Sequence, residues 1–342
     1  MKILSYILVI LVITSSALYY GCDDSGTIPI PLPTGQITLK QTNLKPLDQG
    51  TDGWYQLWIA LDTANQREWF SAGEFNISSG GTLVDLSGAP VTLKFTGDTN
   101  RLTLSAHALI TVEKSTAFAP GPLRLLSGPL TLVRDSIYGS LKMSGSEALD
   151  AMGTVLIGDD NNCPTTAPNN CASGYYVLQS PTTSNADCLK GLWFADVSGN
   201  SSFTAGLDLP SGLGWTYEAW VVQNSTQTFH SLGRFTRFTQ ADSDGPGSCP
   251  GSNPVDPFNN VPGEEYAAGC TVFNNLNNGD YGVFITLEPI NESGASLNSP
   301  FPLKMFRREV IQSSLNCGNP DVFFRAVSRD CLQPYAILKI AR

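Results

Sequence analysis

Two glutamates stand at matching places in the chain. Glu113 ends Ala108-Leu109-Ile110-Thr111-Val112-Glu113, and Glu288 ends Val283-Phe284-Ile285-Thr286-Leu287-Glu288. Paired carboxylates about 5–10 Å apart can hydrolyse a glycosidic bond. These two belong to separate segments, so each is expected to end a strand rather than to join a catalytic pair. The histidines are His107 and His230. His107 lies between alanines and His230 aligns with Phe70, which predicts structural places for both. The chain carries no Gly-x-Ser-x-Gly elbow, no His-Glu-x-x-His and no phosphate loop. Oxygen-rich loops occur at Asp159-Asp160-Asn161-Asn162 and Asp242-Ser243-Asp244-Gly245, and Asp242 and Asp244 are the calcium candidates. Pro246 and Asn253 fall where a calcium loop needs ligands, so a solvated turn is expected there, with no metal and no cofactor. Of six tryptophans, Trp69 and Trp193 fall outside any repeated pattern and are the possible ligand contacts.

Cysteine chemistry is confined to the start and the second half. The second half holds Cys163, Cys171, Cys188, Cys249, Cys270, Cys317 and Cys331. Cys163, Cys171, Cys249 and Cys317 flank Asn, Pro or Gly, as in loops closed by disulfides in an oxidising compartment. The local pairings expected are Cys163–Cys171, Cys249–Cys270 and Cys317–Cys331, which leave Cys188 over. Cys-x-x-Cys is absent, and zinc is not expected.

The elements that must position these residues repeat. Trp54-Tyr55-Gln56-Leu57-Trp58 is matched by Trp215-Thr216-Tyr217-Glu218-Ala219-Trp220, and Gly73-Glu74-Phe75 by Gly233-Arg234-Phe235. The segments ending in Glu113 and Glu288 form a third pair, further apart because the second copy is longer. Periodicity is two, with aromatic and branched residues alternating, and Gly, Asn, Asp, Ser and Pro break the runs. The prediction is an all-β chain of two tandem antiparallel β-sandwich (Ig-like) modules related by internal duplication. Module 1 would span 36–149, and module 2 would span 150–342 with disulfide-closed loop insertions. Only Ser146–Met152 reads as briefly helical. The repeated tryptophans are expected in the core.

The aromatic Tyr-x-Leu-Trp strand, the Gly-x-Phe turn and the Thr-x-Glu strand resemble the extracytoplasmic domain of the anti-sigma-K factor family. That resemblance implies a β-sandwich, and the second copy looks like duplicated envelope lipoproteins built on the same module. The family's sigma-binding domain has no counterpart here, so sigma sequestration is not expected.

The N-terminus reads as an export signal. Lys2 precedes the apolar run Ile3–Ile13, and Gly21-Cys22 followed by Asp23-Asp24 resembles a bacterial lipobox. Residues 1–21 would be a signal peptide, Cys22 the acylated residue, and 22–35 a Pro-rich tether. The chain has 342 residues, with 20 Lys plus Arg against 30 Asp plus Glu and a formal net charge of −10. That balance disfavours a nucleic-acid partner. The expectation is a membrane-anchored, extracytoplasmic lipoprotein at the periplasm or cell surface, non-enzymatic, binding or spacing. Its partner would be an envelope protein or glycan. A secreted hydrolase acting on glycans and a sensor domain with a membrane partner are the alternatives.

Overall fold

Alternating apolar and polar residues dictate strands, and strands are what the chain forms. The computed structural model describes residues 35–62, 67–103, 106–141, 173–181, 189–196, 198–201, 203, 208–209, 214–245, 247, 258, 260–266, 273, 275–292, 298–311, 322–326 and 334–341. The signal segment, Cys22, all seven other cysteines, nearly all of the tether, the Asp159–Asn162 cluster and Ser146–Met152 lie outside the described residues. Among the described residues there is no α-helix, and a 3-10 turn covers Arg101–Thr103.

The early strands are β1 (Gly35–Thr42), β2 (Trp54–Asp62), β3 (Arg67–Ile77), β4 (Leu83–Val84), β5 (Leu93–Phe95), β6 (Ala106–Glu113), β7 (Arg124–Val133) and β8 (Ser136–Leu141). The later ones are β9 (Ser173–Leu178), β10 (Gly191–Trp193), β11 (Trp215–Gln223), β12 (Thr228–Phe235) and β13 (Gly263–Glu265). They continue with β14 (Tyr281–Pro289), β15 (Lys304–Arg308), β16 (Val322–Ala326) and β17 (Tyr335–Ala341). They form two sheets in the orders β4-β3-β2-β6-β7-β8-β17-β1-β5 and β12-β11-β14-β15-β16-β9-β10-β13. All pairings are antiparallel. Each sheet curls until distant strands meet, β3 touching β5 and β12 touching β13.

Leaving out the short β4, the two orders match strand for strand. β11, β12, β14 and β15 take the places of β2, β3, β6 and β7. The matching extends to loops: Val112 N–H donates to the Leu123 carbonyl (2.9 Å), and Leu287 N–H donates to the Leu303 carbonyl (2.9 Å).

One element corrects the sequence-based boundary. β17, placed by sequence order in the module spanning 150–342, belongs to the first sheet. It pairs with β1 from Thr42↔Tyr335 to Ile37↔Ile340 and with β8 from Leu141↔Ala336 to Ser136↔Ala341. Ala336, Leu338 and Ile340 alternate inward beside Ile37, Leu39, Ile137 and Leu141, all buried. The pairing therefore satisfies the backbone of both neighbours and buries the apolar face of β17. β17 occupies the place that β9 holds in the second sheet.

The Gly-x-Phe sequences are bulges inside continuous strands rather than turns. Register slips between Leu57 and Trp58 opposite Gly73, and between Glu218 and Trp220 near Gly233. Both glycines have positive φ, 133° and 92°, which an L side chain resists. A single apolar core includes residues of both sheets. Trp215 ties them further, its indole N–H donating to the Arg124 carbonyl of β7 (2.9 Å).

Candidate functional site

In β11 and β14 every second side chain points to the main core: Tyr217, Ala219 and Val221, and Val283, Ile285 and Leu287. The intervening ones, Glu218, Trp220 and Val222 with Phe284, Thr286 and Glu288, line the opposite face. β12 adds Arg234 across from Glu218 and Phe229 across from Val222. β15 adds Lys304 across from Thr286 and Arg307 across from Phe284. One sheet face thus runs from a carboxylate cluster, past Trp220, to a basic and aromatic groove.

At the acidic end a relay of hydrogen bonds is buried. The Trp220 indole N–H donates to Thr286 Oγ1 (2.9 Å), and the Thr286 hydroxyl donates to Glu288 Oε1. The Phe301 N–H donates to the same oxygen (2.8 Å). Glu218 accepts from the Ser231 hydroxyl (2.6 Å) and from Arg234 Nε (2.7 Å), while Arg234 Nη2 donates to Glu292 (2.6 Å). Burial pushes the Glu288 carboxyl up to about 9. The Thr286 and Phe301 donors resist that rise, and neighbouring Glu292 and Glu218 add to it. Burial also raises Glu218 and Glu292, against the pull of Arg234.

The first sheet carries the same relay. Trp58 N–H donates to Thr111 Oγ1 (2.9 Å), Thr111 donates to Glu113 Oε1 (2.6 Å), and Gly121 N–H donates to that oxygen (2.8 Å). The surrounding charges differ. Gln56 stands in the place of Glu218 and Glu74 in the place of Arg234. Four residues beyond Glu113 is Ala117, whereas four residues beyond Glu288 is Glu292.

At the other end, Val222, Phe229, Phe284, Lys304, Arg307 and Arg308 line an open cavity of about 490 Å³. The Lys304 ammonium sits 4.1 Å from the centre of the Phe284 ring. Burial, with Arg307 beside it, lowers the Lys304 pKa. Arg307 also reaches Glu309 at the rim, 3.4 Å away. In the first sheet the register places Leu109 and Ser127 where Phe284 and Arg307 stand, so that face lacks one aromatic ring and one cation.

The structure sorts the sequence-predicted residues. Trp69 is half-buried, lies opposite Ala60 as Phe229 lies opposite Val222, and has the Arg67 guanidinium 5.7 Å over its ring. It therefore occupies the first sheet's counterpart of the groove. Trp193 is a correction: it is 1% exposed, stacks on Phe258 at 5.4 Å and donates to the Gln179 carbonyl (3.0 Å), leaving no ring face for a ligand. Trp58 and Trp220 are buried, but on the sheet faces turned away from the main core rather than within it. His230 packs edge-on to Phe273 and burial lowers its pKa, and His107 is a half-buried strand residue.

Asp242 Oδ2 accepts from the Gly263 N–H (2.7 Å), and both Asp242 and Asp244 crowd Gly233. Burial and Asp244 lift Asp242 to about 8 against the Gly263 donor. Nearby, the Tyr266 hydroxyl reaches Glu264 and the Ser231 carbonyl. Sequence reasoning missed Glu218, Arg234, Glu292, Lys304 and Arg307. For Glu218 and Arg234 the signal lies in the differences between the matched segments: Tyr-Gln-Leu-Trp against Tyr-Glu-Ala-Trp, and Gly-Glu-Phe against Gly-Arg-Phe. No protein-family model matches the chain, and neither the curated proteins nor the solved structures contain a match to it.

Proposed function

We propose that this chain is a non-enzymatic, lipid-anchored binding protein of the bacterial envelope, and that the groove beside Phe284 takes an acidic glycan. The observation that carries this reading is the groove's chemistry. Lys304, Arg307 and Arg308 stand beside Phe229 and Phe284, on a chain whose formal net charge is −10. Cations attract carboxylate or phosphate substituents, and the half-buried Phe229 ring can meet a sugar ring, backed by the buried Phe284 beneath Lys304. The export segment, Cys22 and the proline-rich tether supply the anchor.

We further propose that the halves arose by duplication of one eight-stranded unit. The matched strand orders and the twin Trp–Thr–Glu relays support this. The sandwich description rests on the curling of each sheet. A glycan hydrolase using Glu218 and Glu288 is less favoured, because those residues are 3% and 0% exposed and hydrogen-bonded to Ser231, Arg234, Thr286 and Phe301.

The test is calorimetric titration of the full chain with a polyuronic acid and with a neutral glucan. Salt-sensitive binding of the polyuronic acid, lost in Arg307→Glu, is expected. Equal binding of both polymers, or of neither, overturns the groove assignment. Turnover of a glycan or ester panel overturns the non-enzymatic reading.

A further inference from the structure

We infer that Glu218, Glu288 and Glu292 form a binding site for a hard divalent cation, calcium in particular. One carboxylate oxygen from each lies within 4.8 Å of those of the others. Two oxygens bound to one calcium at about 2.3–2.6 Å can be no more than about 5 Å apart, so the three can share an ion. Within the cluster, Glu288 directs both of its donors, Thr286 and Phe301, to Oε1. Its Oε2 is buried and has no hydrogen-bond partner, in a residue that is 0% exposed. Such an oxygen has given up water without replacement, which is unfavourable for a polar or charged group. A metal ion would restore it.

Charge points the same way. The three carboxylates face one guanidinium, Arg234, which binds Glu218 and Glu292 through a single oxygen of each. Ionised together, the three would leave two negative charges in a largely buried place, which either a divalent ion or bound protons must offset. Lys114 adds only a longer-range field at Glu292. The first copy shows what the relay needs by itself. Trp58, Thr111 and Glu113 close it with one carboxylate, beside Gln56 and Ala117. The second and third carboxylates are thus additions that the shared architecture does not require. An all-carboxylate set favours calcium, magnesium or manganese over zinc or copper. Arg234 acts as a positioning residue, fixing two ligands through the oxygens it holds.

The test uses the full chain in detergent, stripped with a chelator and titrated with terbium, a luminescent stand-in for calcium. Trp220 is linked to Glu288 through Thr286 and is placed to sensitise the ion. Saturable terbium emission that calcium displaces is expected, together with a melting temperature that rises with calcium concentration. Glu288→Gln should weaken binding at least about tenfold, because it removes one ligand charge. Glu113→Gln and Asp242→Asn should leave binding unchanged. If Glu288→Gln fails to fold, Glu292→Gln serves in its place. Absence of saturable emission, or emission surviving both Glu288→Gln and Glu292→Gln, overturns the site and leaves a proton as the compensating charge.

Discussion

Replacing Thr111 by Val tests whether the buried relay is a structural tie. Valine keeps the branched shape and removes only the hydroxyl, which accepts from Trp58 and donates to Glu113. Thr111 and Trp58 are 0% exposed and Glu113 is 6% exposed, so water cannot take the hydroxyl's place. The indole N–H loses its sole recorded partner, and Glu113 Oε1 keeps only the Gly121 N–H. The unpaired indole costs about 1–3 kcal/mol and the bond lost to the carboxylate about 1.5–3 kcal/mol, while the added methyl returns about 0.8 kcal/mol. The net loss should be about 2–5 kcal/mol. At this chain length that is a fall of roughly 3–7 °C in melting temperature.

Thermal and urea unfolding followed by tryptophan fluorescence would measure it, with the exposed Thr38→Val as control. Combining Thr111→Val with Trp58→Phe should be less damaging than the sum of the two, with a coupling of about 1–2 kcal/mol. A Thr111→Val protein within about 0.5 kcal/mol of wild type, or strictly additive losses, would refute the reasoning.

Leu338→Ala should cost about 2–5 kcal/mol. Hydrogen exchange should then show lost protection in β1 and β8, with β10 and β11 unaffected. Gly233→Ala should destabilise by about 1–3 kcal/mol, because Gly233 has φ +92° and its new methyl would meet Asp242 and Asp244. This is read in the same unfolding assay. Asp242 has a folded pKa raised to about 8 from 3.8. Its contribution is therefore complete below about pH 4 and is lost as pH rises through about 8. Asp242→Asn should flatten the decline in stability between about pH 4 and about pH 8, measured by urea midpoints. Arg307→Glu should abolish polyuronic acid binding without moving the melting temperature by more than about 2 °C, because Arg307 is half-exposed at the groove rim.

Much of the fold was legible because period-two patterning is a local signal. Tyr55, Leu57 and Ile59 alternate in the sequence and share the buried inner face. The partner of β17 was not legible. Tyr335–Ala341 announces a strand, but pairing with β1 joins residues nearly a chain length apart, and alternation carries no information about which edge is open. The tryptophan alignment also misled by one residue. Trp54 pairs with Glu113, and Thr216 with Glu288, so Thr216 rather than Trp215 is the counterpart of Trp54. A shift of one reverses the face in a strand, which is why Trp215 points to Phe301 and the Arg124 carbonyl instead. At the site, Glu113 and Glu288 were recognised as equivalent because they close repeated blocks. The charges that distinguish the two sheets came from strands whose register the sequence does not state.

The place of β17 bears on the order in which the molecule can be made. A chain synthesised from its N-terminus presents β1 and β8 long before the strand that lies between them. Until residues 335–341 emerge, both edges are open to any extended peptide nearby. The half of the molecule that is made first is consequently the last to be finished. A ragged C-terminus, or a tag that hinders its docking, would therefore damage the N-terminal half.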